Sequence, residues 1–199
     1  MEKKQLIISV SREFGSGGHV IAEALANIFN IPMYDHDILK EIASKDVLID
    51  AALLEKYDEV PRNRLLYRKV NGFSNSPSEN IANMQFDFLK KQAESGQSFI
   101  AVGRCSEYVL REYEGLVKLF ILADVEVKTQ RIMKLHNMSH DAAADWIKRT
   151  DKQRKTYHNF YCPNKWGDSR YYDICINSSK LGIEETAIFL ADYIKLRIK

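Results

Sequence analysis

Four short runs of apolar and β-branched residues punctuate the chain, at residues 6–10, 99–102, 117–122 and 174–176. Uninterrupted apolar runs of this length predict strands buried on both faces, as in a parallel sheet. A weaker run at residues 31–34 predicts a fifth strand, after Asn30 ends a helix. Between the strands the apolar positions shift to helical spacing. Ile21, Ala22, Leu25, Ala26, Ile28 and Phe29 share one face. Ser76-Pro77-Ser78-Glu79 reads as a capping box with proline at the first helical position, opening a helix through Ile81, Met84, Phe88 and Leu89 that runs out at Gly96. Ser139 is an N-cap for a helix over 141–149, with Ala143, Trp146 and Ile147 inward. A last amphipathic helix covers 184–198, with glutamates early and basic residues late, as the helix dipole favours.

Strands alternating with helices predict an α/β fold: a mostly parallel five-stranded sheet with right-handed crossovers, hence helices on both faces in a three-layer sandwich. Two stretches break the alternation. Residues 36–97 hold more helix than one crossover needs, and residues 149–172 are polar and aromatic without apolar periodicity. Both read as insertions over a cleft. A single domain over 1–199 follows, with its core in 1–35, 98–148 and 173–199. The segment 71–77, rich in Asn, Gly and Ser, reads as the most mobile loop.

Composition narrows the classes. At 199 residues, 45% apolar and 28% charged, the chain is ordinary for one globular domain. A net charge of +2 is too small to argue for a nucleic-acid surface, and local clusters of positive charge matter more than the total. The three cysteines, Cys105, Cys162 and Cys175, are odd in number and lack metal-ligand spacing, which predicts structural thiols in a reducing compartment. No apolar run approaches the roughly 20 residues of a membrane span, and no signal-peptide pattern opens the chain. A cytoplasmic location is the expectation.

The chemistry concentrates where the first strand meets the first helix, at Ser11-Arg12-Glu13-Phe14-Gly15-Ser16-Gly17-Gly18-His19-Val20. A tight glycine-rich turn points successive N–H groups inward and cradles an anion, and the helix N-terminus adds its dipole. Read as a phosphate-binding loop, residues 15–20 would hold the phosphates of a donor nucleotide. Ser16 and His19 can add side-chain donors. Yet the strict G-x-x-x-x-G-K-[ST] pattern fails at three positions: Arg12 stands at the first glycine, Gly18 at the lysine and His19 at the hydroxyl. Arg12 is positioned to supply the missing charge, with Glu13 either its ion-pair partner or a metal holder through water. The plainer alternative is a β–α turn whose glycines serve close packing.

Ser11 to Gly18 resembles the signature of the cytidylate kinase-like family, a divergent branch of the P-loop nucleoside monophosphate kinases. The likeness continues in order along the chain: Tyr34-Asp35 after the first helix, Gly103-Arg104 after the third apolar run, Asp151-Lys152-Gln153-Arg154 with Tyr157 as a lid, and Tyr172-Asp173-Ile174-Cys175-Ile176-Asn177-Ser178 as the last strand. The resemblance implies a P-loop kinase core, an ATP donor with Mg²⁺ held mainly by phosphates and waters, an acceptor-binding helical insertion at 36–97 and a lid at 149–172. It implies a small-molecule acceptor, with CMP the first candidate. True cytidylate kinases carry the loop lysine and hydroxyl, and an aspartate after Gly-Arg where this chain has Cys105.

The remaining charged positions take their parts from this frame. Arg12, Arg149 and Arg154 would offset the charge of a transferring phosphoryl group, with Asp151 orienting one of them. Arg104, at the carboxyl end of a buried strand, faces the edge where ligands bind. Asp35 either binds the acceptor or positions Arg104, and Asp37 caps the next helix. Asp124 is a further N-cap. Arg131 either stacks on the donor base or pairs on the surface. Tyr157, Phe160, Tyr161, Trp166, Tyr171 and Tyr172 pack a lid onto the core rather than stack bases, and His136 and His140 lack a third metal ligand. No dedicated protein metal site is expected. The rival function is a non-catalytic nucleotide-binding module, or phosphotransfer to a non-nucleotide acceptor.

Overall fold

The computed structural model describes residues 4–35, 59, 69–70, 73–74 and 76–198. At its centre is strand β1 (Ile7–Arg12), hydrogen-bonded on one side to β5 (Phe99–Val102) and on the other to β6 (Leu116–Leu122). β2 (Met33–Tyr34) extends the sheet beyond β5, and β7 (Ile174–Asn177) extends it beyond β6. The order is β2-β5-β1-β6-β7, and every pairing is parallel. All five expected strands are therefore present, in the expected class of sheet.

The alternation along β1 sorts its side chains between two layers. Ile8 and Val10 enter a core with Ile21, Ala22 and Leu25 of helix α1 (Gly18–Phe29) and with Ala187, Leu190, Ala191 and Ile194 of a C-terminal helix, Gly182–Arg197. Ile7 faces the opposite layer, where Phe88, Leu89 and Ala93 of α2 (Pro77–Glu94) close over Phe99, Ala101 and Leu116. Further along that face the strand turns polar. Ser9 Oγ lies 2.6 Å from Ser106 Oγ, and Ser11 Oγ donates to Glu107 Oε2 at 3.2 Å. Ser106 and Glu107 belong to α3 (Ser106–Val109).

Two α-helices, α4 (Val125–His136) and α5 (His140–Tyr161), and a short 3-10 turn (Ser169–Tyr171) complete the described fold, with the C-terminal helix becoming α6. α4 and α5 pack through Ile132, Ala143 and Ile147. Ser139 caps α5 through Ala142 N–H, as expected. Three expectations need correction. α5 does not end near Arg149 but runs on to Tyr161, so the first half of the lid segment continues the same helix. Ser76 sits at the N-cap of α2 without a capping bond, because its hydroxyl pairs with that of Ser78 at 3.0 Å. Asp124 sits at the N-cap of α4, but its carboxylate accepts from Asn177 Nδ2 at 2.7 Å and Lys180 Nζ at 2.6 Å instead of capping.

Within the segment read as a mobile loop, β4 (Phe73–Ser74) pairs antiparallel with β3 (Lys69–Val70). The candidate cap Asp37, and most of the helical insertion expected over 36–97, lie outside the described residues. Parallel strands bring Arg12, Asp35 and Gly103-Arg104 to one edge, the carboxyl edge where open α/β sheets bind ligands.

Candidate active site

The glycine loop follows β1 directly. Gly15 (φ +78°) and Gly17 (φ +80°) adopt the left-handed backbone that bends the chain back into α1. A Cβ on Gly17 would lie 2.8 Å from Ile183 Cγ1, so the loop is pressed against the start of α6. Ser16 is fully buried and its hydroxyl works inside the loop, donating to Glu13 O at 2.8 Å and accepting from Gly18 N–H at 3.3 Å. Its role is to shape the turn. Ser178 Oγ donates to Ser16 O at 2.6 Å, and Arg131 Nη1 to Gly15 O, which fixes two loop carbonyls from outside. Burial lowers the Arg131 pKa. The α1 N-terminus, with Val20 in its first turn, projects its dipole and its first N–H groups over this turn. His19 is half-exposed there, 3.4 Å from Asp35 Oδ2 and 3.2 Å from Glu23 Oε1.

Beside the loop three arginines from three elements converge on one carboxylate. Arg12 Nη1, from the end of β1, lies 3.1 Å from Glu59 Oε1. Arg104 Nη1, after β5, lies 2.9 Å from the same oxygen. Arg154 Nε, from α5, lies 3.4 Å from Glu59 Oε2, and its Nη1 donates to Arg12 O at 3.4 Å. Gln153 Nε2 donates to Glu59 O at 3.3 Å. Burial alone would raise the Glu59 pKa, but the charges of Arg12, Arg104 and Arg154 outweigh it and hold the group well below the usual carboxylate range. Arg154 moves down to about 10, through burial and then the Arg12 charge, and stays protonated at neutral pH. Ser11, Gly103, Cys105, Tyr157, His158 and Trp166 close the small cavity around them.

Backbone strain helps build this cluster. Gly103, Arg104 and Cys105 have φ of +75°, +56° and +54° in succession. Two consecutive non-glycine residues in that region are costly and persist only where their surroundings enforce them. The turn carries the Arg104 side chain inward, leaving it 2% exposed. Gly103 itself leaves no room for a Cβ, because Arg12 Nη1 and Glu59 Oε1 already occupy that space.

Asp151 and Glu13 belong to a second network. Lys128 Nζ, from α4, lies 2.9 Å from Glu13 Oε2 and 3.1 Å from Asp151 Oδ2. Asp151 Oδ1 accepts from Phe14 N–H at 2.6 Å. Burial opposes the charge on Lys128, but Glu13 and Asp151 prevail and raise its pKa. Glu13 therefore partners Lys128 and not Arg12. Arg12 and Glu13 are successive residues at a strand end, where side chains diverge. Arg149 is not brought to the cluster. It is exposed, and its Nε donates to Asp145 O on its own helix at 3.3 Å. The aromatic segment packs as expected, with Trp166 edge-on and Tyr172 tilted against Phe120, and Tyr157 tilted against Tyr161.

The sequence reading missed Glu59, Lys128, Glu107 and His158. For Lys128 a signal existed: it lies one turn before buried Ile132 on the inward stripe of α4, where an unpaired lysine has no place. No local pattern marks the other three.

The family model for the cytidylate kinase-like family matches residues 7–180, which span the loop, the arginines and the last strand of the sheet. The chain belongs to the cytidylate kinase-like family. It is 22% identical over 190 residues to a protein of Pyrobaculum calidifontis named cytidylate kinase, covering 95% of this chain and 92% of that one. Among solved structures it is similar to an uncharacterized protein from Eubacterium ventriosum, at 37% identity and TM-score 0.77, covering 96% of this chain and 99% of that one. The shikimate kinase of Bacteroides thetaiotaomicron shares the fold at 14% identity and TM-score 0.56, covering 96% and 98%. The family and the fold are those of kinase-type phosphotransferases. Among the described residues no helix is long and apolar enough to cross a membrane.

Proposed function

We propose that this cytidylate kinase-like protein transfers the terminal phosphoryl group of ATP to a small acceptor, with CMP the first candidate. The observation that carries the reading is the convergence of Arg12, Arg104 and Arg154 on the Glu59 carboxylate, beside the glycine loop and at the carboxyl edge of the sheet. Three guanidinium groups around one small anion match the charge and size of a phosphoryl group. In this reading Glu59 holds the arginines together until a phosphate takes its place. The backbone from Gly15 to Val20 cradles the donor phosphates, and the bent turn with no Cβ at Gly15, Gly17 or Gly18 suits that close approach.

Transfer of this kind needs alignment and positive charge more than covalent help. An acceptor oxygen attacks the terminal phosphorus, the bond to the bridging oxygen breaks, and ADP leaves with the electron pair. Arg12 and Arg154 would stabilise the charge on the transferring group, and Arg104 would hold the acceptor phosphate. In this reading Asp35 would bind the acceptor at the same sheet edge, its carboxylate 3.4 Å from His19 Nδ1. Asp151 works at one remove, tying Phe14 N–H and Lys128 together and so fixing the base of the loop. Beside the loop, Glu13 and Asp151 are both engaged by Lys128, and Asp35 contacts His19. This supports a Mg²⁺ ion carried by the phosphates and waters, where it supplies charge neutralisation.

The test is acceptor-dependent ADP formation by the full chain with ATP, Mg²⁺ and a panel of nucleoside monophosphates, with shikimate as a non-nucleotide comparison. Turnover with one of the monophosphates is expected. If no acceptor supports ADP formation while a control kinase works, the reading fails. ATP binding by calorimetry without transfer would then favour the binding module, to which the absent loop lysine and hydroxyl also point. Turnover with shikimate alone would assign a non-nucleotide acceptor.

A further inference from the structure

Directly behind the arginine cluster lies a second group of side chains that phosphoryl transfer does not use. Glu107, His158 and Cys162 are 5%, 4% and 5% exposed. Their ligand-type atoms, a carboxylate oxygen, a ring nitrogen and Sγ, all lie within 4.8 Å of one another. His158 Nε2 is 2.5 Å from Glu107 Oε1. His158 and Cys162 are four residues apart at the end of α5, which puts both on one helix face. Glu107 comes from α3, 51 residues earlier than His158.

We propose that Glu107, His158 and Cys162 bind a structural transition-metal ion of the Zn²⁺ type, through a Glu107 carboxylate oxygen, His158 Nε2 and Cys162 Sγ. The donor set is a carboxylate, an imidazole and a thiolate, the three ligand types that tetrahedral zinc accepts. Ligand atoms on such an ion sit on the order of 3.5 Å apart, so the observed spread needs only small side-chain adjustments. The outer contacts are also those a metal site needs. Ser11 Oγ donates to the other Glu107 oxygen at 3.2 Å. Asn159 Oδ1 lies 3.3 Å from His158 Nδ1 and is itself anchored by Trp166 N–H at 2.9 Å. That contact suits a proton on Nδ1, so Nε2, which faces the Glu107 carboxylate, is the atom that would coordinate once its proton is displaced. The fourth tetrahedral position falls to water or to the Cys105 thiol, which packs in the same buried cluster as Cys162.

Binding replaces the His158 Nε2 proton and the Cys162 thiol proton, which pass to solvent, and no oxidant or reductant is needed. The site would also clamp the arginine cluster from behind. Ser11 adjoins Arg12, Glu107 follows Arg104 by three residues, and His158 follows Arg154 by one helical turn. The inference is independent of the acceptor and of phosphoryl transfer itself.

The test is titration of the reduced full chain with Co²⁺ as an optical stand-in, followed by Zn²⁺ competition. One equivalent is expected, with a thiolate-to-cobalt charge-transfer band that Zn²⁺ displaces. The band should survive in Cys175→Ser and vanish in Cys162→Ser. In parallel, wild-type protein is alkylated with and without Zn²⁺, and modified cysteines are read by mass spectrometry. Zn²⁺ should protect Cys162, which keeps the test open if the serine variant misfolds. Absence of the band, its survival in Cys162→Ser, or equal alkylation of Cys162 with and without Zn²⁺ would overturn the proposal.

Discussion

The side chain of Arg12 fills the space that a side chain at Gly18 would need: a Cβ on Gly18 would lie 2.6 Å from Arg12 Cβ. Arg12 occupies the first-glycine position of the P-loop pattern and Gly18 the lysine position. The two departures are therefore one steric exchange, in which the cation has moved from the helix start to the strand end.

This exchange predicts that restoring the lysine alone fails. Gly18→Lys should destabilise the protein by about 1–3 kcal/mol, the range for forcing bulk into a packed site. Arg12→Gly combined with Gly18→Lys should recover part of that loss, giving a coupling of about 0.5–3 kcal/mol in a double-mutant cycle. Urea unfolding of the four proteins checks it, and strictly additive effects would contradict the exchange.

Removing Glu59 leaves Arg12, Arg104 and Arg154 facing one another without their shared anion. Glu59→Ala should lower the melting temperature in an inert buffer. Phosphate or sulfate should raise it again, and by more than in the wild type, because an added anion then takes the carboxylate's place. Thermal melts across an anion series read this directly.

The same carboxylate sets a pH dependence. Its folded pKa lies below the ordinary 4.5, so its stabilisation is complete above 4.5 and is lost progressively as pH falls below that value. Glu59→Gln should therefore lose less stability than the wild type between neutral and acid pH. Parallel acid-range urea melts of both proteins measure the difference in slope.

Lys128 holds Glu13 and Asp151, and through Asp151 the Phe14 N–H at the base of the glycine loop. Lys128→Met should cost about 2–3 kcal/mol, below the usual range for a broken buried pair because both carboxylates are partly exposed. It should also weaken ATP binding, since the loop loses its anchor. Denaturant unfolding and calorimetry test the two effects separately.

The strands were legible because burial on both faces writes itself as unbroken apolar runs, and the glycine loop because a positive-φ turn demands glycine. α5 shows where that legibility stops. Ala143, Ile147, Asp151, Arg154 and His158 follow one another at spacings of three and four, a continuous inward stripe. Its second half is charged, since it faces Glu59, Lys128 and Glu107 and not a hydrocarbon core, so the apolar period ends although the helix does not. Glu59 and Glu107 were hidden for a related reason. Each finds its partners across dozens of residues, and only the folded sheet edge brings them together. The cysteines illustrate the same limit: Cys105 and Cys162 show no ligand spacing in the sequence yet share one buried cluster.

The central claim is that Arg12 performs the electrostatic work of the absent loop lysine. The most direct measurement is the single-turnover rate of phosphoryl transfer from labelled ATP, at saturating acceptor, in the wild type and in Arg12→Ala. A loss of about a thousandfold or more is expected, the scale of arginine charge stabilisation in phosphoryl transfer, with ATP affinity reduced much less. A rate in the folded variant that stays within about threefold of the wild type, less than 1 kcal/mol of barrier, would contradict the account.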